Sequence, residues 1–400
     1  MSATEDLLLE GVKVIEVSSW IAAPSCGAML ADRGADVIKI EPPEVGDAYR
    51  GYYEMPASPD AEVNFTWILD NRNKRSMTLN LKSERGKAIL HRLVEACDIY
   101  ITNQPLPFRR EQKLMWEDLR PLNESMIYAS ITAYGEEGPE RDREGFDLVG
   151  YWSRSGLMNQ MRHSGAQPFQ AMAGMGDHPT AVALYGSIMT ALFRRERTGQ
   201  GAKVHTSLLA NGLWSASCFA QAAWAHADFS NIPPQRLTTA LYLTADQRWL
   251  QFSMVRQEED FDRLILALGR PEWLIDERFD SAEKRLEHYE LFTEMMREEI
   301  AQHTAEHWMS IFATEQVPAA LVAEFQDLPL DAQVLDNGMA MPANDSVGMS
   351  HVIRDPINVD GLARVGAKPA PDMGEHTDQV LADMGYTAQE IERLRGDGIV

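Results

Sequence analysis

The 400-residue chain is predicted to form an α/β fold on a doubly wound parallel sheet, with a second, smaller α+β domain, and three observations predict it. Short apolar runs alternate with amphipathic stretches through the first half of the chain. A stretch of helical periodicity separates the second run from the third, which is the βαβ pattern that builds a parallel sheet. The composition then shifts at D-F-S-N-I-P-P-Q-R (228–236), a linker ahead of strands and charged helices.

In order, V-K-V-I-E-V (12–17), A-D-V-I-K-I (35–40), D-I-Y-I-T (98–102) and M-I-Y-A-S-I-T (126–132) read as strands. R-G-K-A-I-L-H-R-L-V-E-A (85–96) reads as the helix between the second and the third. Together they predict a Rossmann-like core. A further helix starts beside Asp177, with Pro179 in its first turn, and runs to Arg194. The turn R-T-G-Q-G, a strand A-K-V-H-T-S-L and a helix of small residues come next. From Leu241 to about Glu324 the pattern is one or two strands and then amphipathic helices, and 325–372 is a Pro-, Asn-, Asp- and Gly-rich return segment. Thr387 and Glu390 have capping-box spacing ahead of a C-terminal helix. The predicted domains are 1–227 for the N-terminal part of the large domain, 237–324 for the small one, and 325–400 completing the first.

Sixty acids against 37 bases leave a formal charge of −23, which argues against nucleic acid and anionic membrane as partners. Cys26, Cys97 and Cys218 are an odd, scattered set and suggest neither a disulfide framework nor a metal cluster. The N-terminus M-S-A-T-E-D carries acids where a signal peptide carries bases, and no apolar run approaches the ~20 residues of a membrane helix. A cytoplasmic protein is expected.

Glu41, after the second strand, is half of a dinucleotide-binding signature, but S-S-W-I-A-A-P-S-C-G stands where the glycine-rich turn belongs. This disfavours an NAD-dependent dehydrogenase. H-T-A-E-H (303–307) has a zinc-ligand spacing, but Thr304 reads as a helix N-cap, so His303 and His307 are expected to straddle a boundary and face different ways. The bases of N-R-N-K-R-S (71–76), with Arg109 and Arg110, read singly as solvated charge. Taken together, at the ends of parallel strands, they suggest a site for a phosphorylated cofactor. Tyr134 follows a strand and either lines the same crevice or packs over a loop. Asp177, in G-M-G-D-H-P, either caps its helix or is a nucleophilic carboxylate, and His178 beside it is left unassigned.

Taken in order, L-E-G-V-K-V-I-E-V, A-A-P, L-A-D-R-G-A-D-V-I-K-I-E-P-P, G-D-A-Y-R-G, N-R-N-K-R-S-M-T-L-N-L-K-S-E-R-G, T-A-Y-G-E-E-G-P, G-F-D-L, G-M-G-D and R-R-E-R-T-G-Q-G resemble the class III CoA-transferases, the CaiB/BaiF family that includes formyl-CoA transferase-like proteins. The resemblance implies acyl-CoA and a carboxylic acid as substrates, no metal, and an interlocked homodimer. It also implies that Asp177 attacks the acyl-CoA, passing through an aspartyl anhydride and an aspartyl-CoA thioester. Gly174 and Gly176 would leave room for substrate and offer N–H groups to an oxyanion, and the helix start would keep Asp177 ionised. By the same resemblance Ala22, Arg72, Lys74, Arg75, Asn103, Arg110 and Tyr134 are CoA contacts. Pro42 departs from the basic residue that some members carry after the acid ending the second strand.

Related racemases use a His in G-H-D; here Phe146 replaces it, and a phenyl ring exchanges no proton. Y-W-S-R-S-G-L-M is similar to the branch acting on 2-hydroxy and aryl acids, while transfer between two carboxylates of one diacid stays open. An acyl-CoA isomerase or racemase and a non-catalytic CoA-binding protein are the alternatives.

Overall fold

The computed structural model describes every residue except 1–6, 57, 163–165, 230–239, 254 and 256. Most of the linker expected at 228–236 therefore lies outside the described residues. Two compact units result: Met1–Arg162, Pro168–Ala225 and Gln333–Val400 form the larger, and His163–Gln167 with His226–Ala332 the smaller.

The larger unit is built on six parallel strands: β1 (Lys13–Val17), β2 (Asp36–Glu41), β3 (Arg75–Thr78), β4 (Ile99–Thr102), β5 (Ile127–Thr132) and β6 (Ala202–Ser207). Their spatial order is β3-β2-β1-β4-β5-β6, so the winding reverses between β1 and β4. Five of these strands match the expected runs to within a residue or so. β3 does not, because N-R-N-K-R-S has the composition of a polar loop. Its Ser76 and Met77 are buried between Ile40 of β2 and the C-terminal segment.

Side chains alternate across the sheet. Ile15, Ile38, Ile40 and Met77 face a layer containing Leu90 and Val94, from the Glu84–Ala96 helix, together with Leu381 and Leu394. Val14, Val37, Ile101 and Ala129 face Ala23, Leu30, Leu184 and Ile188 on the other side. The last two belong to the Asp177–Thr198 helix, whose buried Ala181, Leu184, Tyr185, Ile188 and Leu192 recur at helical spacing. That helix runs four residues past the expected Arg194 and stops at Gly199, where φ is +70°. The helix expected over the next small residues is interrupted at Ala216, between Leu208–Ser215 and Ser217–Trp224.

In the smaller unit β7 (Leu241–Leu243), β8 (Trp249–Phe252) and β9 (Ala319–Leu321) form an antiparallel sheet. Its core of Tyr242, Phe252, Phe261, Phe292, Trp308 and Phe312 comes from these strands and from amphipathic helices such as Glu258–Ala267 and Tyr289–Ile300. Thr304 caps the Ala305–Thr314 helix as expected. The rings of His303 and His307, however, stack with centroids 4.1 Å apart instead of facing different ways, because the bend at Thr304 folds them together.

The C-terminal segment returns to the larger unit. It adds β10 (Ala340–Pro342) and β11 (His351–Ile353), an antiparallel pair, and closes with helices Thr377–Asp383 and Ala388–Gly396. Thr387 and Glu390 form the expected capping box. His376 N donates to Ser76 O at 2.9 Å and Asn80 N to Ile399 O at 2.8 Å, which ties this segment to β3 and the turn after it. Among the described residues no group of His, Cys, Asp and Glu is placed to hold a metal ion, and no helix is long and apolar enough to cross a membrane.

Candidate active site

All six strands of the large sheet run the same way, so the loops after β1, β4 and β5 converge beside the switch point. They line a pocket of about 270 Å³ with Ser19, Trp20, Ile21 and Ala22 after β1, Asn103, Gln104 and Leu106 after β4, and Ala133 and Arg141–Phe146 after β5. Asp177 and Leu208 complete the wall. A second pocket, of about 520 Å³, lies over the carboxyl ends of β1, β2 and β3 and shares Ser19 and Gln104 with the first. Its lining includes Glu41, Pro42, Pro43, Leu79, Lys82 and Phe108.

Asn103 fixes the crossing point. Its Oδ1 accepts from Ser19 N at 2.9 Å and its Nδ2 donates to Ser19 O at 2.7 Å, so one side chain locks the β1 loop to the β4 loop. Trp20 holds a φ of +67°, an uncommon backbone state for a bulky residue. Its N–H is held by Asp47 at 3.1 Å, and its ring meets the edge of Phe146 at 5.2 Å.

Asp177 opens its helix, but the N-cap is Gly176 and no side chain caps it. The capping reading of Asp177 is thereby set aside. The turn before it depends on both glycines: Gly174 has φ +88°, and a Cβ on Gly176 would come within 2.6 Å of the Tyr151 ring. This turn is held from below by Asp147, a buried acid whose Oδ2 accepts from Gly174 N at 2.8 Å and Gly176 N at 3.2 Å. The two N–H groups expected as oxyanion donors are thus occupied by a protein carboxylate. The reason is topological: G-F-D brings Asp147 under the turn from the loop after β5.

Behind Asp177 stands a second buried acid. Asp70 accepts from Ser25 Oγ at 2.5 Å and from Tyr49 OH at 2.9 Å, and lies 3.1 Å from His178 Nε2. His178 Nδ1 lies 3.0 Å from Gly174 O. Burial opposes charge on His178, but the charge and hydrogen bond of Asp70, then Asp177, overcome it and push the imidazole up to about 9. Burial opposes charge on Asp70 as well, and His178, Ser25 and Tyr49 together hold it below the ordinary carboxylate value. Burial, then the neighbouring Asp147, pushes Asp177 up to about 8, with His178 acting against the rise. The expectation that the helix start would keep Asp177 ionised is corrected accordingly: desolvation and a like charge oppose the helix end.

Of the other residues expected at the site, Ala22 and Asn103 line the pocket. Tyr134 stands behind its wall, under the Arg143 guanidinium at 5.4 Å. Arg110 is half exposed and pairs at 2.7 Å with Asp142, itself a residue of the pocket wall. The basic run lies elsewhere. Arg72 is buried against Asp32 at 2.7 Å, and Lys74 is buried against Glu16 at 2.8 Å. Arg75 begins β3 and pairs with Asp36, which begins β2, at the amino ends of the strands and so across the sheet from the pockets. Arg109 is buried too, held by Gln104 O at 2.6 Å. The bases of the 71–76 run precede or open a strand, whereas the pockets are made by residues beyond the strands' carboxyl ends. Lys82, four residues past β3, is the cation that reaches the second pocket. The alternation in R-S-M-T-L was the signal that would have found it. Asp147 and Asp70 were also missed, the first because G-F-D drew attention to Phe146.

A doubly wound α/β unit with an uncapped carboxylate over a pocket at its switch point defines the class: a ligand-binding α/β protein with an enzyme-like site. More particularly, the chain belongs to CoA-transferase family III, the CaiB/BaiF family, whose model matches residues 9–377. It is a class III CoA-transferase, an enzyme that moves CoA between acids. The chain is 33% identical over 399 residues to cinnamoyl-CoA:phenyllactate CoA-transferase of Clostridium sporogenes, covering 98% of this chain and 96% of that one. It is 30% identical over 400 residues to (R)-2-hydroxy-4-methylpentanoate CoA-transferase of Clostridioides difficile, covering 98% and 100%. A crystal structure of a CaiB/BaiF family protein from Brucella suis matches with a TM-score of 0.83 at 26% identity, over 95% of this chain and all of that one.

Proposed function

We propose that Asp177 is the nucleophile of this CoA-transferase. The observation that carries the reading is its carboxylate, which caps nothing and opens onto the switch-point pocket. A carboxylate oxygen attacks the thioester carbonyl, the C–S bond breaks, and CoA thiolate leaves behind a mixed anhydride. The thiolate then attacks the Asp177 carbonyl carbon, which releases the first acid as carboxylate and leaves an aspartyl-CoA thioester. The incoming acid repeats the two steps in reverse and regenerates Asp177. A carboxylate whose pKa is raised is a stronger nucleophile once ionised, which suits this first step.

The acyl end and pantetheine occupy the pocket of Trp20, Asn103 and Phe146, and the nucleotide end occupies the second pocket, with Lys82 on a phosphate. The shared Ser19 and Gln104 make the two pockets one path along the strand ends. Trp20, Ile21, Ile131, Phe146 and Leu208 give the acyl pocket an apolar wall. Together with the two clostridial relatives, that wall supports a branched or aryl acid, including 2-hydroxy acids, as substrate. Phe193, Trp214, Phe219 and Trp224 are exposed on three helices of the larger unit, an apolar surface of the kind a second copy of the chain covers in an interlocked homodimer.

The test is peptide mass spectrometry after incubation with cinnamoyl-CoA and other branched or aryl acyl-CoA thioesters. A CoA adduct on the Asp177 peptide, discharged by added phenyllactate or a related acid, is expected. An Asp177→Ala protein that folds, binds CoA and retains full transfer would overturn the assignment.

A further inference from the structure

His178, in the G-M-G-D-H-P stretch, is left without a role by the sequence, and both of its ring nitrogens meet acceptors, which favours the doubly protonated ring. Gly174 O, 3.0 Å from Nδ1, can only accept. Asp70 Oδ1, 3.1 Å from Nε2, belongs to a carboxylate already taking hydrogens from Ser25 and Tyr49. A neutral ring would aim a lone pair at one of these two acceptors, whereas an imidazolium donates to both. The cation so defined is the residue next to Asp177.

We propose that His178, fixed as an imidazolium between Asp70 and Gly174, is a positioning residue whose charge sets the pH range in which Asp177 attacks a thioester. The inference rests on the reading of Asp177 as nucleophile. Three acids act electrostatically on the ring: Asp70 from the Phe65–Asn71 helix, in contact at 3.1 Å, Asp147 from the loop after β5, and Asp177 on its own helix. Tyr49, from the Ala48–Glu54 turn, donates to Asp70. Lys74, the other cation in electrostatic reach of Asp70, is held by Glu16 at 2.8 Å. Arg141 and Arg143 line the pocket side, the latter held by Glu140 at 2.7 Å. One imidazolium therefore offsets Asp147 and Asp177 while its own charge is maintained by Asp70. The hydrogen bond to Gly174 O also anchors the glycine turn, so the group that supplies charge also fixes position.

The experiment follows the carboxyl carbon of Asp177 by NMR in protein labelled with carboxyl-¹³C aspartate, with Asp177→Asn assigning the signal, in the wild type, His178→Gln and Asp70→Asn. Loss of the imidazolium is expected to move the titration midpoint of Asp177 to a proton concentration about tenfold lower, roughly one pH unit upward. The pH dependence of Asp177 adduct formation with cinnamoyl-CoA is expected to move with it. A purely structural role would reduce the adduct rate at every pH without moving the midpoint. An unmoved midpoint in His178→Gln overturns the inference; should that variant not fold, His178→Asn is read in the same way, with Asp70→Asn as the opposing control because it removes an acid that itself raises Asp177. A midpoint that moves in His178→Gln while the wild type forms no adduct would leave the charge relation standing and remove the nucleophile reading instead.

Discussion

Two groups of buried charge in the larger unit invite comparison. In the first, Glu16 of β1 meets Lys39 at 3.1 Å and Lys74 at 2.8 Å, and Lys39 meets Asp47 at 2.9 Å: two acids and two bases, all sealed from water. In the second, Asp147 and Asp177 lie in electrostatic reach of each other and of one imidazole, His178, which stands 3.1 Å from Asp70. The first group is balanced and none of its four residues lines either pocket described above, which fits a role in the fold. The second carries surplus negative charge at a pocket wall, an arrangement that raises the pKa of Asp177 and fits the nucleophile proposed above. Charge balance separates them better than burial does.

The largest test of this contrast is on activity. Asp177→Ala is expected to lower the transfer rate by about a thousandfold or more while leaving circular dichroism and CoA binding intact, measured by following both thioesters chromatographically. In the balanced group the expected loss is of stability instead. Lys74→Met leaves Glu16 short of a partner and is expected to cost about 3–5 kcal/mol in urea unfolding, most of it recovered in a Glu16→Gln/Lys74→Met double variant. Equal costs for the single and double changes would erase the distinction.

Asp177→Asn should act in the opposite direction on stability. With a folded pKa raised from 3.8 to about 8, ionising Asp177 costs the folded state, and that cost is absent below pH 3.8 and grows until about pH 8. The variant is therefore expected to be more stable by about 1–3 kcal/mol at neutral pH, with the gain vanishing in acid, as read from melting curves across pH. The smallest expected effect is at the second pocket. Lys82→Ala should raise KM for the CoA substrate by about three- to tenfold with little change in kcat, and the difference should shrink at high salt.

The sequence carried the sheet well because apolar period and strand length are local properties, visible in runs such as D-I-Y-I-T. It placed Asp177 at a helix start because two glycines, an acid and a proline are a local constraint too. It did not place the cations relative to the pockets, since Arg72 and Lys74 precede a strand, Arg75 opens it and Lys82 lies beyond it, and only the strand's direction tells them apart. Nor did it show that the glycine N–H groups are taken by Asp147, twenty-seven residues from Gly174 along the chain. Asp70, 108 residues from His178, is beyond any local pattern.

The bonds from His376 to Ser76 and from Asn80 to Ile399 also carry a consequence in time. A ribosome delivers β3 early and its neighbours from 376–400 last, so throughout synthesis the outer edge of the sheet waits uncovered for the final helices. Leu381, Leu394 and Ile399, buried against Met77 and Leu79, then close a core whose first half was made some three hundred residues before. A nascent chain halted in the small unit would expose that edge, and a chaperone that shields it should be found on stalled rather than finished chains.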